Sequence, residues 1–228
     1  MSEACTAGSV FIYPCAGCDI VEPILAFGTQ LDTFVFVDIQ YQFRRFEIPA
    51  PADWHEVAGS VTINGESVDR MRSVVAGKHR YREIEPAWRR SKYCHAKTGR
   101  QIDVVFRRGF GQYALHELGD GSLGVFFHRG DSGGEGGSGV IYLGNRQMDH
   151  APISRLMDVI KRKLAYPSCV VSDGSNTSIR QLVAAGRGDE SVTTFISHGL
   201  QWERVGSLQK RFGDSRLSVV WRVTPQLA

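Results

Sequence analysis

Cysteine is scarce and odd in number, five among 228 residues, which argues against a disulfide framework. The opening Met1-Ser2-Glu3-Ala4 has neither a basic n-region nor an apolar core, so a secretory route is not expected and the setting reads as reducing and cytoplasmic. The Asn176-Thr177-Ser178 sequon is then incidental. No apolar run approaches the roughly eighteen residues that a membrane span needs, so no membrane partner is expected. Pro/Ser-rich linkers and internal repeats are also absent. With 42% hydrophobic and 22% charged residues, the chain is neither disordered nor fibrous and can bury a core. One domain is expected over 1–228, with an irregular basic insertion at about 42–100.

Glycine is in excess, 25 residues or about 11% against an average near 7%. The excess is concentrated in Gly130-Asp131-Ser132-Gly133-Gly134-Glu135-Gly136-Gly137-Ser138-Gly139, where six of ten positions are glycine. Charge is uneven as well. The formal net charge is +3, yet residues 78–108 hold ten Lys/Arg against Glu83, Glu85 and Asp103.

Val10-Phe11-Ile12-Tyr13 is β-prone, stops at Pro14 and leads through Ala16-Gly17 into helix-compatible residues from Asp19 to Ala26. Gly28 can end that helix, and Thr33 to Val37 is a continuous apolar run, typical of a strand buried on both faces, that ends at Asp38. Between 42 and 100 the pattern is weak, with Pro49, Pro51, a turn signal at Asn64-Gly65 and a helix assigned to Ser67–Val75. Further strands are expected at Gln101–Phe106, Leu123–Phe127 and Cys169–Val171, and helices at Gln112–Leu118, around Ile153–Leu164 until Pro167, and around Ile179–Val183 until Gly186. Thr193–Leu208 and Leu217–Val223 read as an antiparallel strand pair joined by a turn at Gly213-Asp214, with Leu217, Val219, Trp221 and Val223 on one face. Strands alternating with helices predict an α/β fold: a Rossmann-like, mostly parallel sheet flanked by helices, closed by a C-terminal antiparallel pair.

A glycine turn after the first strand and an acidic residue ending the second are places where a parallel sheet can hold a nucleotide-like ligand. Tyr13-Pro14-Cys15-Ala16-Gly17-Cys18-Asp19 and Asp38 occupy them. With the strand order above, the chain resembles the class I methyltransferases that use S-adenosylmethionine. That resemblance implies a cofactor against Pro14, Ala16 and Gly17, with Asp38 on its ribose. The usual glycine triplet is here Ala16-Gly17-Cys18, and His128-Arg129-Gly130-Asp131-Ser132 stands in place of the Asn/Asp-Pro-Pro-Tyr/Phe tetrapeptide. His128, Asp131, Ser132 and Glu135 are the candidate catalytic residues toward a methyl acceptor, with a His or carboxylate as general base. The alternative is a turn that is purely structural.

Other chemistries compete. Cys15-Ala16-Gly17-Cys18 after a strand, with Pro23 five residues beyond, looks like the redox motif of thioredoxins, in which a helix end would acidify Cys15 and Cys18 would resolve a mixed disulfide. No second Cys-x-x-Cys or His pair completes a zinc site. Gly130-Asp131-Ser132-Gly133-Gly134 is similar to the nucleophile pentapeptide of chymotrypsin-like proteases, but that chemistry needs a His base and a buried Asp that no recognisable segment supplies. The glycine-rich stretch is either an anion-cradling loop or a solvated connection. Asp173 and Asn176, after the next strand, face the same crevice or serve as turn and helix-cap residues, the cap being the preferred reading for Asn176. The basic segment, interleaved with Tyr81, Trp88, Tyr93 and Phe106, suits a nucleotide or nucleic-acid partner if its arginines meet phosphates and its rings stack on bases. It is otherwise a solvated face with aromatic core anchors.

Overall fold

A computed structural model describes residues 7–41, 43, 51–65, 71–76, 79–84, 87–129, 140–144, 156–208 and 216–226, with 71–76 and 79–84 described by their backbone alone. The chain begins with β1 (Val10–Pro14), α1 (Val21–Phe27) and β2 (Thr33–Asp38). Five strands follow: β3 (Trp54–Glu56), β4 (Thr62–Asn64), β5 (Met71–Ala76), β6 (His79–Ile84) and β7 (Ala87–His95). Then come β8 (Gln101–Arg108), α2 (Gly111–Glu117), β9 (Leu123–His128), α3 (Leu156–Lys163), β10 (Leu164–Ser172) and α4 (Arg180–Gly186). The chain closes with β11 (Thr194–Ser197), β12 (Leu200–Ser207) and β13 (Val219–Pro225).

Eleven strands share one sheet, in the order β11-β12-β13-β10-β9-β1-β2-β8-β7-β3, with β4 also on β7. Its centre, β10-β9-β1-β2-β8, is parallel throughout. Beyond β10 the strands β13, β12 and β11 alternate in direction, and beyond β8 so do β7 and then β3 and β4. β5 and β6 form a separate hairpin.

The predicted Rossmann-like α/β fold, a mostly parallel sheet flanked by helices, is therefore corrected. Six of the eleven strands are antiparallel additions at the two edges. The four helices among the described residues are seven or eight residues long, about 10–12 Å each at a 1.5 Å rise, too short to cover so wide a sheet. Aromatic side chains cover much of one face instead. Phe11, Phe34, Phe36, Phe106 and Phe127 rise from the parallel strands, and Phe27 of α1, Tyr41, Phe43 and Trp54 lie over them. Phe11 alone has the rings of Phe27, Phe34, Phe36 and Phe127 within 6.1 Å. The other face buries Ile12, Val37, Phe126, Val170, Trp202, Trp221 and Val223 beneath Leu115, Met157, Ile160 and Leu182 from α2, α3 and α4.

The 42–100 region accounts for much of the error. The expected helix at Ser67–Val75 is replaced from Met71 by strand β5, and the supposed insertion supplies β3, β4 and β7 to the main sheet. Arg89, Arg90 and Lys92 sit inside β7, Arg90 and Lys92 on the solvent side and Arg89 on the inner face paired with Glu56, so charge on both faces masks the strand alternation. The predicted strand over Thr193–Leu208 is two strands, bent at His198-Gly199, whose φ angles of 57° and 70° match a two-residue hairpin turn. β12 and β13 form the expected antiparallel pair, and Val219, Trp221 and Val223 share a face with Leu217 packed against it. The Gly213-Asp214 turn lies outside the described residues. Pro167 sits within β10, and the helix before it ends at Lys163. Among the described residues no helix is long and apolar enough to cross a membrane.

Candidate functional site

β1 has β2 on one side and β9 on the other. From β1 the chain builds outward through β2 to β8, then crosses back to add β9 and β10 on the opposite side. The carboxyl ends of β1 and β9 are where strand order reverses, and ligands of parallel sheets bind at such reversals.

At the end of β1, Cys15 and Gly17 adopt positive φ, 58° and 53°. The Ala16 N–H donates to Val37 O at 3.1 Å, and the Gly17 N–H donates to Asp38 Oδ2 at 3.0 Å. Gln40 N–H donates to Asp38 Oδ1 at 2.8 Å, and the Tyr41 hydroxyl donates to Gly17 O at 2.9 Å. Gly17 and Asp38 are thus brought together in one turn, both partly exposed. A Cβ built on Gly17 would meet nothing nearer than Asp38 Oδ2 at 4.0 Å, so the backbone there is open to approach. Pro14 and Ala16 differ. Both are buried, and Pro14 is packed so closely by the start of α2 that a Cβ on Gly111 would lie 2.5 Å from Pro14 Cβ and from Tyr142 Oη.

His128 ends β9 on the face that carries Phe126, whose ring centroid is 6.3 Å away, and the Tyr142 ring stands edge-on at 6.2 Å. Ser172, at the same level of β10, places Oγ 3.3 Å from His128 Nδ1 and accepts the Gly174 N–H at 3.1 Å. Burial pushes the imidazole pKa down from 6.5 to about 4, outweighing the nearby Asp173 carboxylate, which pulls it up.

The opposite face carries a second polar group. Arg129 donates to the Asp19 carboxylate and reaches the Tyr13 hydroxyl at 3.5 Å. Burial drives the Tyr13 pKa far above its usual range, and the Arg129 charge only partly opposes it. Burial by itself would lower the Arg129 pKa, but Tyr13, Asp19 and Asp173 together raise it.

The chain leaves the described residues at Arg129 and re-enters at Val140. The re-entering end is pinned to this edge: Asn176 Nδ2 donates to Val140 O at 2.9 Å, and the Thr177 hydroxyl and Ser178 N–H donate to Leu143 O, at 2.5 and 3.1 Å. Asp131, Ser132 and Glu135, the remaining expected catalytic residues, lie outside the described residues, as do the pentapeptide letters around Ser132. Asn176 is not the cap of α4, which begins at Arg180; its φ is 42° and its side chain straps Val140. Asp173 is the turn residue, accepting the N–H and hydroxyl of Ser175 at Oδ1 at 2.8 and 2.5 Å.

Ser172, Tyr13 and Tyr142 were not singled out by sequence. Ser172 had a signal, since it follows Val170 by two residues on the same face of a buried strand; Tyr13 stood only as the end of the first strand, and Tyr142 carries no local signal. Cys15 and Cys18 are joined by no disulfide, and α1 starts at Val21, so neither stands in the first helical turn expected to acidify Cys15. Within the basic segment, Arg89 pairs with Glu56 at 2.6 Å, Lys92 with Asp103 at 3.5 Å, Lys97 with Asp53 and Arg100 with Asp32 at 3.0 Å, and Arg107 with Glu117. Arg108, Tyr93 and Phe106 are buried, and Arg90 lies over the Trp88 ring at 5.6 Å.

No protein-family model, curated protein or solved structure matches this chain.

Proposed function

We propose that the carboxyl edge between β1 and β9 binds S-adenosylmethionine and that the protein is a methyltransferase or a methyltransferase-like binder of that cofactor. The reversal of strand order at that edge carries the reading, because it brings the open Gly17–Asp38 turn and the end of β9 to the same crevice. The residues fit the group. Both Asp38 carboxylate oxygens accept backbone N–H groups, which fixes the carboxylate that ribose hydroxyls would meet, and the uncrowded face of Gly17 lets a ligand approach the backbone.

When bound, the cofactor supplies an electrophilic methyl group. The chain's own part is to hold and orient. Asp38 and Gly17 fix the ribose end, Pro14 and Ala16 support the turn from beneath, and His128 stands at the end of β9 beside them. The Arg129–Asp19 pair beside Tyr13 closes the opposite face. Calorimetric titration with S-adenosylmethionine, and with its demethylated product S-adenosylhomocysteine, tests the reading directly. Binding that is lost in Asp38→Ala supports it, and absence of heat at millimolar ligand overturns it.

A further inference from the structure

His128 is 2% exposed and Ser172 1%, so every polar atom of the pair needs a partner from within the protein or from a ligand. The Ser172 oxygen already accepts the Gly174 N–H, and its one hydrogen has a single neighbour among the described residues, His128 Nδ1 at 3.3 Å. If Nδ1 instead carried the ring hydrogen, the serine hydrogen would have no acceptor and Nε2 would be an empty acceptor as well. Donation from the serine to Nδ1 satisfies three of the four groups and puts the ring hydrogen on Nε2. Nε2 has no hydrogen-bond partner among the described residues. Charge does not alter the count: the carboxylate acting on the ring is Asp173, which already accepts two hydrogen bonds from Ser175, while Arg129 is turned to Asp19 and Tyr13 on the other face.

We infer that His128 is a fixed neutral donor, held by Ser172 in the Nε2–H form, whose free hydrogen binds an acceptor oxygen of the small molecule at the β1–β9 edge and which does not act as a general base. The identity of that molecule rests on the function proposed above; the protonation state does not. The consequence for substrate class is specific. A ligand group facing β9 is an acceptor such as a carbonyl or carboxylate oxygen, and any proton taken from a methyl acceptor goes to another residue.

Nitrogen-15 spectra of the histidine-labelled protein read the ring directly. The expected result is one non-titrating ring, protonated on Nε2 and neutral from about pH 8 to about pH 5.5, whose signals move in Ser172→Ala. A His128 ring protonated on Nδ1, or one titrating near its ordinary value, overturns the inference. Saturation with S-adenosylhomocysteine is expected to shift the Nε2 hydrogen downfield, and His128→Phe to weaken binding roughly tenfold. Binding that leaves both unchanged overturns the donor role. If the wild-type protein shows no heat with S-adenosylhomocysteine, the cofactor reading fails, and the tautomer measured on the free protein still decides whether His128 is a donor or a base.

Discussion

The carboxyl edge of the parallel centre and the basic flank built from β7 and β8 are both rich in ionisable side chains, yet they dispose of them in opposite ways. On the flank, cations meet carboxylates one to one, and the lysine pairs lie at the surface: Lys97–Asp53 and Lys92–Asp103 are well exposed on both sides. At the edge, an imidazole whose pKa burial pushes down, a tyrosine far above its usual pKa and an arginine pair are buried or half-buried at the ends of two neighbouring strands. Solvent screens the lysine pairs of the first arrangement, which contribute little energy. The second is maintained against desolvation, which is the pattern of functional sites more than of surfaces. A local charge of one sign is thus a weaker pointer than a cluster of polar groups at the end of buried strands.

The contrast breaks most severely if the edge can be overfilled without consequence. Gly111→Val puts a branched side chain where even a Cβ would lie 2.5 Å from the Pro14 ring, and Pro14 belongs to β1 and cannot rotate away. Denaturant unfolding is expected to show a loss of about 3 kcal/mol, with the proposed S-adenosylmethionine binding abolished in whatever remains folded. An unchanged midpoint would mean the α2–β1 contact is loose and the edge is not a rigid site.

Arg129→Met comes next. Both members of the Arg129–Asp19 pair have side chains about one-quarter exposed, so removal of the cation leaves a half-buried carboxylate beside Tyr13. The expected cost is about 2 kcal/mol. Measured against Lys92→Met on the flank, where Asp103 keeps more contact with water, the edge variant should be the more damaged of the two.

How far this edge was legible beforehand depends on the kind of signal. Asp38 and His128 could be found because each ends a continuous apolar run, and Gly17 because a turn glycine follows the first such run; strand ends are visible wherever both faces are buried. The antiparallel flanks could not be read in the same way. β8 alternates one buried and one accessible residue along its length, but β7 carries Arg89, Arg90 and Lys92 on a strand whose carboxylate partners, Glu56 and Asp103, arrive from other strands. Tertiary pairing overrode local propensity there, and the mostly parallel, helix-flanked sheet expected from alternating elements gave way to a wider mixed one. The Ser172–His128 contact joins residues 44 apart, a distance that no local pattern encodes.

Acid sharpens the comparison through His128. Its folded pKa, about 4, lies below the 6.5 of an ordinary histidine, so as pH falls the unfolded chain takes up the proton first. The stability of the folded form is then full above about 6.5 and declines toward about 4. Between about pH 7 and about pH 5 the wild type is expected to lose on the order of 1 kcal/mol more than His128→Gln, read from urea midpoints at the two pH values. Parallel pH profiles would place the imidazole in water and remove the buried member of the edge.

The smallest effect belongs to the flank. Lys97 and Asp53 are 73% and 46% exposed, so their attraction competes with hydration and with the entropy of ordering two side chains. A double-mutant cycle with Lys97→Ala and Asp53→Ala is expected to give a coupling below about 0.5 kcal/mol that vanishes as salt is raised. Asp53 itself has a φ of 66° and lends its carbonyl to the Ala96 N–H at 2.7 Å, so Asp53→Ala carries a backbone penalty of its own that the cycle subtracts. A coupling above about 1 kcal/mol, insensitive to salt, would make the flank an organised electrostatic surface in its own right and erase the difference between the two regions.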